Sequence, residues 1–243
     1  LVVTPQAANK TMGQGGFQEV EQMNLFKDMV CYQEEVRDPS RMAEVLNRVI
    51  EKAFRGSAPA QINVPRDYWT QVVDIELPPI VRFERQGGGK EAIENAAKIL
   101  SKAKFPVILS GAGVVLGGAI EECKKLAEKL DAPVCNGYQH NDSFPGSHPL
   151  AVGPLGYNGS KAAMELISKA DVVLALGTRL NPFSTLPGYG IDYWPKNAAI
   201  IQVDMNPDRI GLTKKVSVGI CGDSKQVAQQ ILDKLSADAG NIA

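Results

Sequence analysis

Three short, almost wholly apolar runs, VILS at 107–110, VVLAL at 172–176 and IIQV at 200–203, constrain this chain most tightly. Strands without polar alternation must be buried on both faces, a situation met in parallel sheets covered by helices. Around them the pattern predicts helices over 90–102, 118–130, 161–169 and 224–235, the last capped by Asp223. Strands are predicted over 106–109, 132–135, 172–176, 200–203 and 216–218. Residues 90–235 therefore read as a doubly wound α/β domain with a parallel, Rossmann-like sheet, followed by a tail at 236–243.

The first 68 residues form a separate unit. LVVT opens as a strand, a glycine-rich loop spans 12–16, and further strands are predicted over 30–36 and 60–64. Between these lies a helix with Asp38 as N-cap and Pro39 at its first position, a favoured pairing. Its apolar face is Met42, Val45, Leu46, Val49, Ile50 and Ala53, and Gly56 ends it. Strand, helix and strand in this order imply parallel pairing. Residues 69–89, with a Pro pair and three consecutive glycines, read as a linker. A chain that opens on a β-branched run without an initiator Met is expected to be a piece of a longer one.

Composition excludes several function classes. With 44% hydrophobic and 22% charged residues the chain is globular in type. Its 26 Lys and Arg against 27 Asp and Glu leave no basic footprint for a nucleic acid. No apolar run approaches the roughly 20 residues of a membrane span, and the first ten residues lack a signal peptide's features, so a cytoplasmic location is expected. Cys31, Cys123, Cys135 and Cys221 form no CxxC pair and read as free thiols. His140 and His148 have no third ligand at metal spacing, so no metal site is assigned.

In doubly wound folds ligands sit beyond the carboxyl ends of the strands. Gly111 and Gly113, in the GxGxxxG run after the first apolar strand, suit either phosphate contact or a tight strand-to-helix turn. Arg179, in GTRLNP, suits a phosphate or a surface ion pair. Asp204 and Asp223 suit a ribose hydroxyl or a helix cap. Together these five residues outline a candidate nucleotide crevice. Residues 138–160 read as a long loop without regular structure, in which Gly153, Gly156 and Gly159 favour close backbone packing.

Several stretches carry a resemblance: MGQGGFQEVEQ at 12–22, APAQINVPRDYW at 58–69, FPGSHPLAVGPLGYNGS at 144–160, LGTRLNP at 176–182 and IIQVDMNPDRIG at 200–211. They resemble the thiamine-diphosphate enzymes of the acetolactate synthase group, and the match runs from residue 10 to 235. The resemblance implies that residues 1–68 are the second half of a pyrimidine-binding domain and residues 90–235 the central domain. It implies thiamine diphosphate and Mg²⁺ in the complete enzyme. The group's activating Glu and its GDG…N motif have no counterpart in these 243 residues, so no catalytic residue is assigned and the isolated chain is expected to be inactive. Gly16, Phe17 and Gln18 fall where the group lines its active site; without the resemblance they would be a helix start with Phe17 as a core anchor.

Within the group, residues 9–49 and 137–167 most closely resemble the branch that converts sulfoacetaldehyde and phosphate to acetyl phosphate and sulfite in taurine metabolism. A homodimer or homotetramer is implied, with no nucleic acid or membrane partner. Flavin-binding members place a Met-His pair where this chain has Tyr157 and Asn158, and an Arg-Phe-Asp-Asp run where it has Arg179, Leu180, Asn181 and Pro182. These departures imply an adenine nucleotide or an empty crevice in place of FAD. The competing expectations are another carboligase or decarboxylase of the group, and a nucleotide-binding module without chemistry.

Overall fold

The computed structural model describes residues 1–17, 19–79 and 84–240. It divides into two compact units, Leu1–Phe83 and Glu84–Ala243.

In the first unit β1 (Val2–Gln6), α1 (Gln22–Phe26), β2 (Tyr32–Glu35), α2 (Met42–Gly56) and β3 (Ala60–Pro65) follow in chain order. The strands lie in the order β1-β3-β2 and both pairs are parallel, as the helical crossover requires. Asp38 accepts a hydrogen bond from Ser40 N–H at 2.8 Å, and Pro39 opens a 3-10 turn that runs into α2. α2 ends at Gly56 as expected, and the residue after it, Ser57, is left-handed. Val45 and Val49 of α2 pack with Ala60, Ile62 and Val64 of β3. The intervening β3 residues, Gln61 and Asn63, are also buried but form a polar layer. Thr4 Oγ1 donates to Asn63 Oδ1 at 2.8 Å, Gln61 Nε2 donates to Thr4 Oγ1 at 2.9 Å, and Asn63 Nδ2 donates to Glu35 Oε2 at 2.7 Å. Such bonding is what lets polar groups stay inside at tolerable cost.

The second unit contains α3 (Lys90–Leu100), β4 (Pro106–Ser110), α4 (Ala112–Leu116), α5 (Ile120–Leu130), β5 (Val134–Gly137), β6 (Ala151–Leu155), α6 (Lys161–Ile167), β7 (Val172–Leu176), β8 (Ala199–Asp204), β9 (Val218–Cys221) and α7 (Ser224–Gly240). Its sheet is wholly parallel with strand order β6-β5-β4-β7-β8-β9. The chain winds outward from β4 to β6, returns to β7, and winds outward again to β9. This is a doubly wound sheet whose strand order reverses between β4 and β7. Ile108, Leu174 and Ile201 face one apolar layer with α3, α5 and α7, while Val107, Leu109, Val173 and Ala175 face the other with α6. Both faces are covered, which explains the missing polar alternation.

Five expectations need correction. Residues 138–160 are not devoid of regular structure, because β6 lies inside them. Its sequence AVGPL hides the strand; Gly and Pro are tolerated because β6 is an edge strand paired only with β5. The glycine run after β4 contains the short helix α4, so α5 starts at Ile120 instead of 118. The last strand is Val218–Cys221 instead of 216–218, and α7 continues to Gly240 through what was expected to be tail. Finally, residues 84–89 are not free linker. Gln86 O accepts from Asp223 N–H at 2.7 Å, Gly87 O accepts from Gln230 Nε2 at 2.7 Å, and a Cβ on Gly88 would lie 2.6 Å from Ile220 Cγ2. The glycines strap this segment onto β9 and α7.

Candidate functional site

In the second unit the ladder pairs Ser110 with Leu176, Leu176 with Val203, and Asp204 with Cys221. The loops after β4, β7, β8 and β9 therefore emerge at one sheet edge, and the five crevice residues do share it. Their local roles differ. Gly111 N–H donates to Leu176 O at 3.1 Å, and Gly113 N–H to Gly177 O at 2.8 Å. A Cβ on Gly111 would lie 2.7 Å from Gly177 O. These glycines let the β4 and β7 loops touch, and the amides of Gly111 and Gly113 are spent on that contact.

Asp223 uses both oxygens: Oδ1 accepts from Lys225 N–H at 3.1 Å and Gln226 N–H at 3.2 Å, capping α7, while Oδ2 pairs with Arg85 Nη1 at 2.9 Å. Asp204 is buried, and its Oδ1 accepts from Asn206 N–H at 2.8 Å. Arg179 is exposed and has no ion-pair partner among the described residues.

Sequence reasoning missed the residue that shapes this edge. Gln202, in the middle of β8, is buried; its Nε2 donates to Thr178 O and Arg209 O, both at 3.2 Å, and its Oε1 accepts from Gly211 N–H at 2.9 Å. Thr213 Oγ1 adds a bond to Leu180 O at 2.7 Å. A lone polar residue inside IIQV was the available signal. On the β5 side, Ser110, Asn136 and Ser143 form a buried cluster, with Ser110 Oγ and Ser143 Oγ 2.7 Å apart and Asn136 Nδ2 donating to Ser143 Oγ at 2.8 Å. Gly156 packs as expected: Tyr157 N–H donates to Phe183 O at 2.8 Å, and a Cβ at Gly156 would meet that oxygen. His148 lies between Glu128 Oε1, 3.3 Å from its Nε2, and Leu150 N–H, which donates to its Nδ1 at 3.2 Å.

The first unit carries the glycine loop. Gly13 and Gly15 have positive φ, and the Glu19 carboxylate accepts from Gly13 N–H and, at 3.1 Å, from Gly16 N–H. Those backbone donors, Gly13 first, hold the Glu19 carboxyl below its ordinary value. Phe17 is 94% exposed, so it is no core anchor, and α1 begins only at Gln22. Gln18 lies outside the described residues. Beside the loop a cavity of about 510 Å³ is lined by Gln6, Met12, Glu21, Gln33 and Glu35 among others, at the carboxyl ends of β1 and β2. Among the described residues no group of three or more His, Cys, Asp or Glu side chains is arranged to hold a metal ion.

Residues 93–231 match the family model described as thiamine pyrophosphate enzyme, central domain, and the chain belongs to that family. Within it the chain is 80% identical over 243 residues to the probable sulfoacetaldehyde acetyltransferase of Rhizobium meliloti (strain 1021), covering 100% of this chain and 41% of that protein. It is 79% identical to the sulfoacetaldehyde acetyltransferase of Roseovarius nubinhibens, over 99% of this chain and 40% of that one. The crystal structure of benzoylformate decarboxylase from Polynucleobacter necessarius aligns with a TM-score of 0.83 at 20% identity, over 96% of this chain and 44% of that chain, a likeness of fold. The chain thus spans about two-fifths of the length of these two relatives.

Proposed function

We propose that these 243 residues belong to a thiamine-diphosphate-dependent acetyltransferase that converts sulfoacetaldehyde and phosphate to acetyl phosphate and sulfite. The observation that carries this is the 80% identity, along the whole chain, to a protein named for that activity. Thiamine diphosphate supplies the electron sink for such chemistry. The GDG…N motif that the resemblance associates with its diphosphate and Mg²⁺ has no counterpart in these residues, so both are assigned to parts of the longer polypeptide. Gly16 and Phe17 are assigned to the lining of the active site, a role consistent with an exposed aromatic on a loop pinned by hydrogen bonds.

At the edge of the second unit's sheet we assign an adenine nucleotide in preference to FAD, with Arg179 at a phosphate and Asp204 at a ribose hydroxyl or the adenine amine. The exposed guanidinium, unpaired among the described residues, supports this; Gly111, Gly113 and Asp223 enter as scaffold because their polar groups are already bonded. A cytoplasmic homodimer or homotetramer completes the proposal, testable by cell fractionation and light scattering.

The deciding experiment supplies thiamine diphosphate, Mg²⁺, phosphate and sulfoacetaldehyde to the polypeptide at its relatives' length and assays acetyl phosphate and sulfite. Equimolar formation of both is expected there and none from the 243 residues alone. A full-length protein without turnover ends the proposal.

A further inference from the structure

We infer that Glu19 is a positioning residue of the active site: its carboxylate occupies the concavity formed by the amides of the glycine loop and thereby fixes the backbone that presents Gly16 and Phe17. Successive N–H groups of a loop with alternating left-handed residues form an anion-binding nest, usually filled by a ligand. Here the chain fills it. Gly13 and Gly15, at φ +82° and +71°, turn the loop, and Glu19 takes the Gly13 and Gly16 amides on separate oxygens. The Glu19 N–H also donates to Gly16 O at 3.2 Å, so the ring of contacts closes on Gly16 itself. No helix stiffens these residues, because α1 starts at Gln22. Turn bonds from Met12 N–H to Ala8 O at 3.0 Å and from Gln14 N–H to Thr11 O at 3.2 Å shape the first part of the loop, and the Glu19 carboxylate is what ties Gly13 to Gly16. Phe17, one residue past Gly16, is left exposed although burial of a phenyl ring is favourable.

The inference rests on the assignment of Gly16 and Phe17 to the active site, and its test separates the two. Amide hydrogen exchange of the isolated chain is compared for wild type, Glu19→Ala and Glu19→Asp. Glu19→Ala is expected to speed exchange at Gly13 and Gly16 at least tenfold while leaving β1 and β3 protected; unchanged rates at both glycines overturn the inference. In the full-length enzyme Glu19→Ala is expected to lower kcat/KM for sulfoacetaldehyde by about ten- to a hundredfold, the scale of a misplaced site. Its melting point should stay near wild type, and Glu19→Asp, which keeps the charge on a shorter arm, should recover part of the loss. An unaltered kcat/KM in Glu19→Ala beside a damaged Phe17→Ala also overturns it. A wild type that never turns over sulfoacetaldehyde defeats the assigned reaction alone, and the exchange rates then decide the clamp.

Discussion

Gly113 and Gly177 bring the loops after β4 and β7 into backbone contact: the Gly113 N–H donates to Gly177 O at 2.8 Å, and a Cβ on Gly113 would sit 2.7 Å from Gly177 Cα. The strand order reverses at this place, and the two halves of the sheet are joined there through glycine. Gly113→Ala should therefore destabilise the second unit by about 2 kcal/mol, within the range of overpacking. Gly146→Ala, in open space and without a positive φ, should change stability by less than about 0.5 kcal/mol. Urea unfolding followed by circular dichroism compares the two; equal midpoints would show that the loops yield freely.

Asp223 performs two jobs that substitution separates. Asp223→Asn keeps an oxygen for the Lys225 and Gln226 amides but gives up the charge facing Arg85. Asp223→Ala loses both and leaves the first amides of α7 without that acceptor. The expected cost is about 2 kcal/mol for Ala and about half of that for Asn. If the Asn variant is as unstable as the Ala variant, the ion pair and not the cap dominates.

Arg179 is exposed and unpaired among the described residues, so Arg179→Ala should leave the unfolding midpoint within about 0.5 kcal/mol of wild type. Calorimetric titration with ADP should show binding weakened at least tenfold in the variant. A wild-type chain that takes up no ADP, or a variant that binds equally well, returns Arg179 to an ordinary surface role.

Glu34 ties β2 to α2, with Arg48 Nε and Nη2 at 2.9 and 3.1 Å and the Tyr32 hydroxyl donating to Oε2 at 2.6 Å. The Arg48 hydrogen bonds hold its carboxyl below the ordinary 4.5. A folded-state value below the unfolded one stabilises above pH 4.5, and that contribution is lost as pH falls through the depressed value. Glu34→Gln should thus cost about 1 kcal/mol at pH 7 and flatten the acid side of the stability curve below 4.5. A variant with the wild-type acid profile would place the acid sensitivity elsewhere.

What could be read from the sequence was whatever local chemistry dictates. Val172–Leu176 announces a strand buried on both faces, and Asp38 before Pro39 and Asp223 before Ser224 announce helix starts, because burial pattern and capping act within a few residues. From those elements the parallel, doubly wound class follows. Tertiary structure alone decided which polar groups are already spoken for. Gly113 could have offered its amide to a phosphate until Gly177 O was seen to accept it; Asp223 could have met a ribose until Arg85, 138 positions away, was seen beside it. The strand at Ala151–Leu155 is held by pairing with β5, and Gln202 joins loops that are remote until β7 and β8 lie side by side. A hydrogen-bond donor or acceptor is defined by its partner, and partners this far apart in sequence meet only once the sheet has closed.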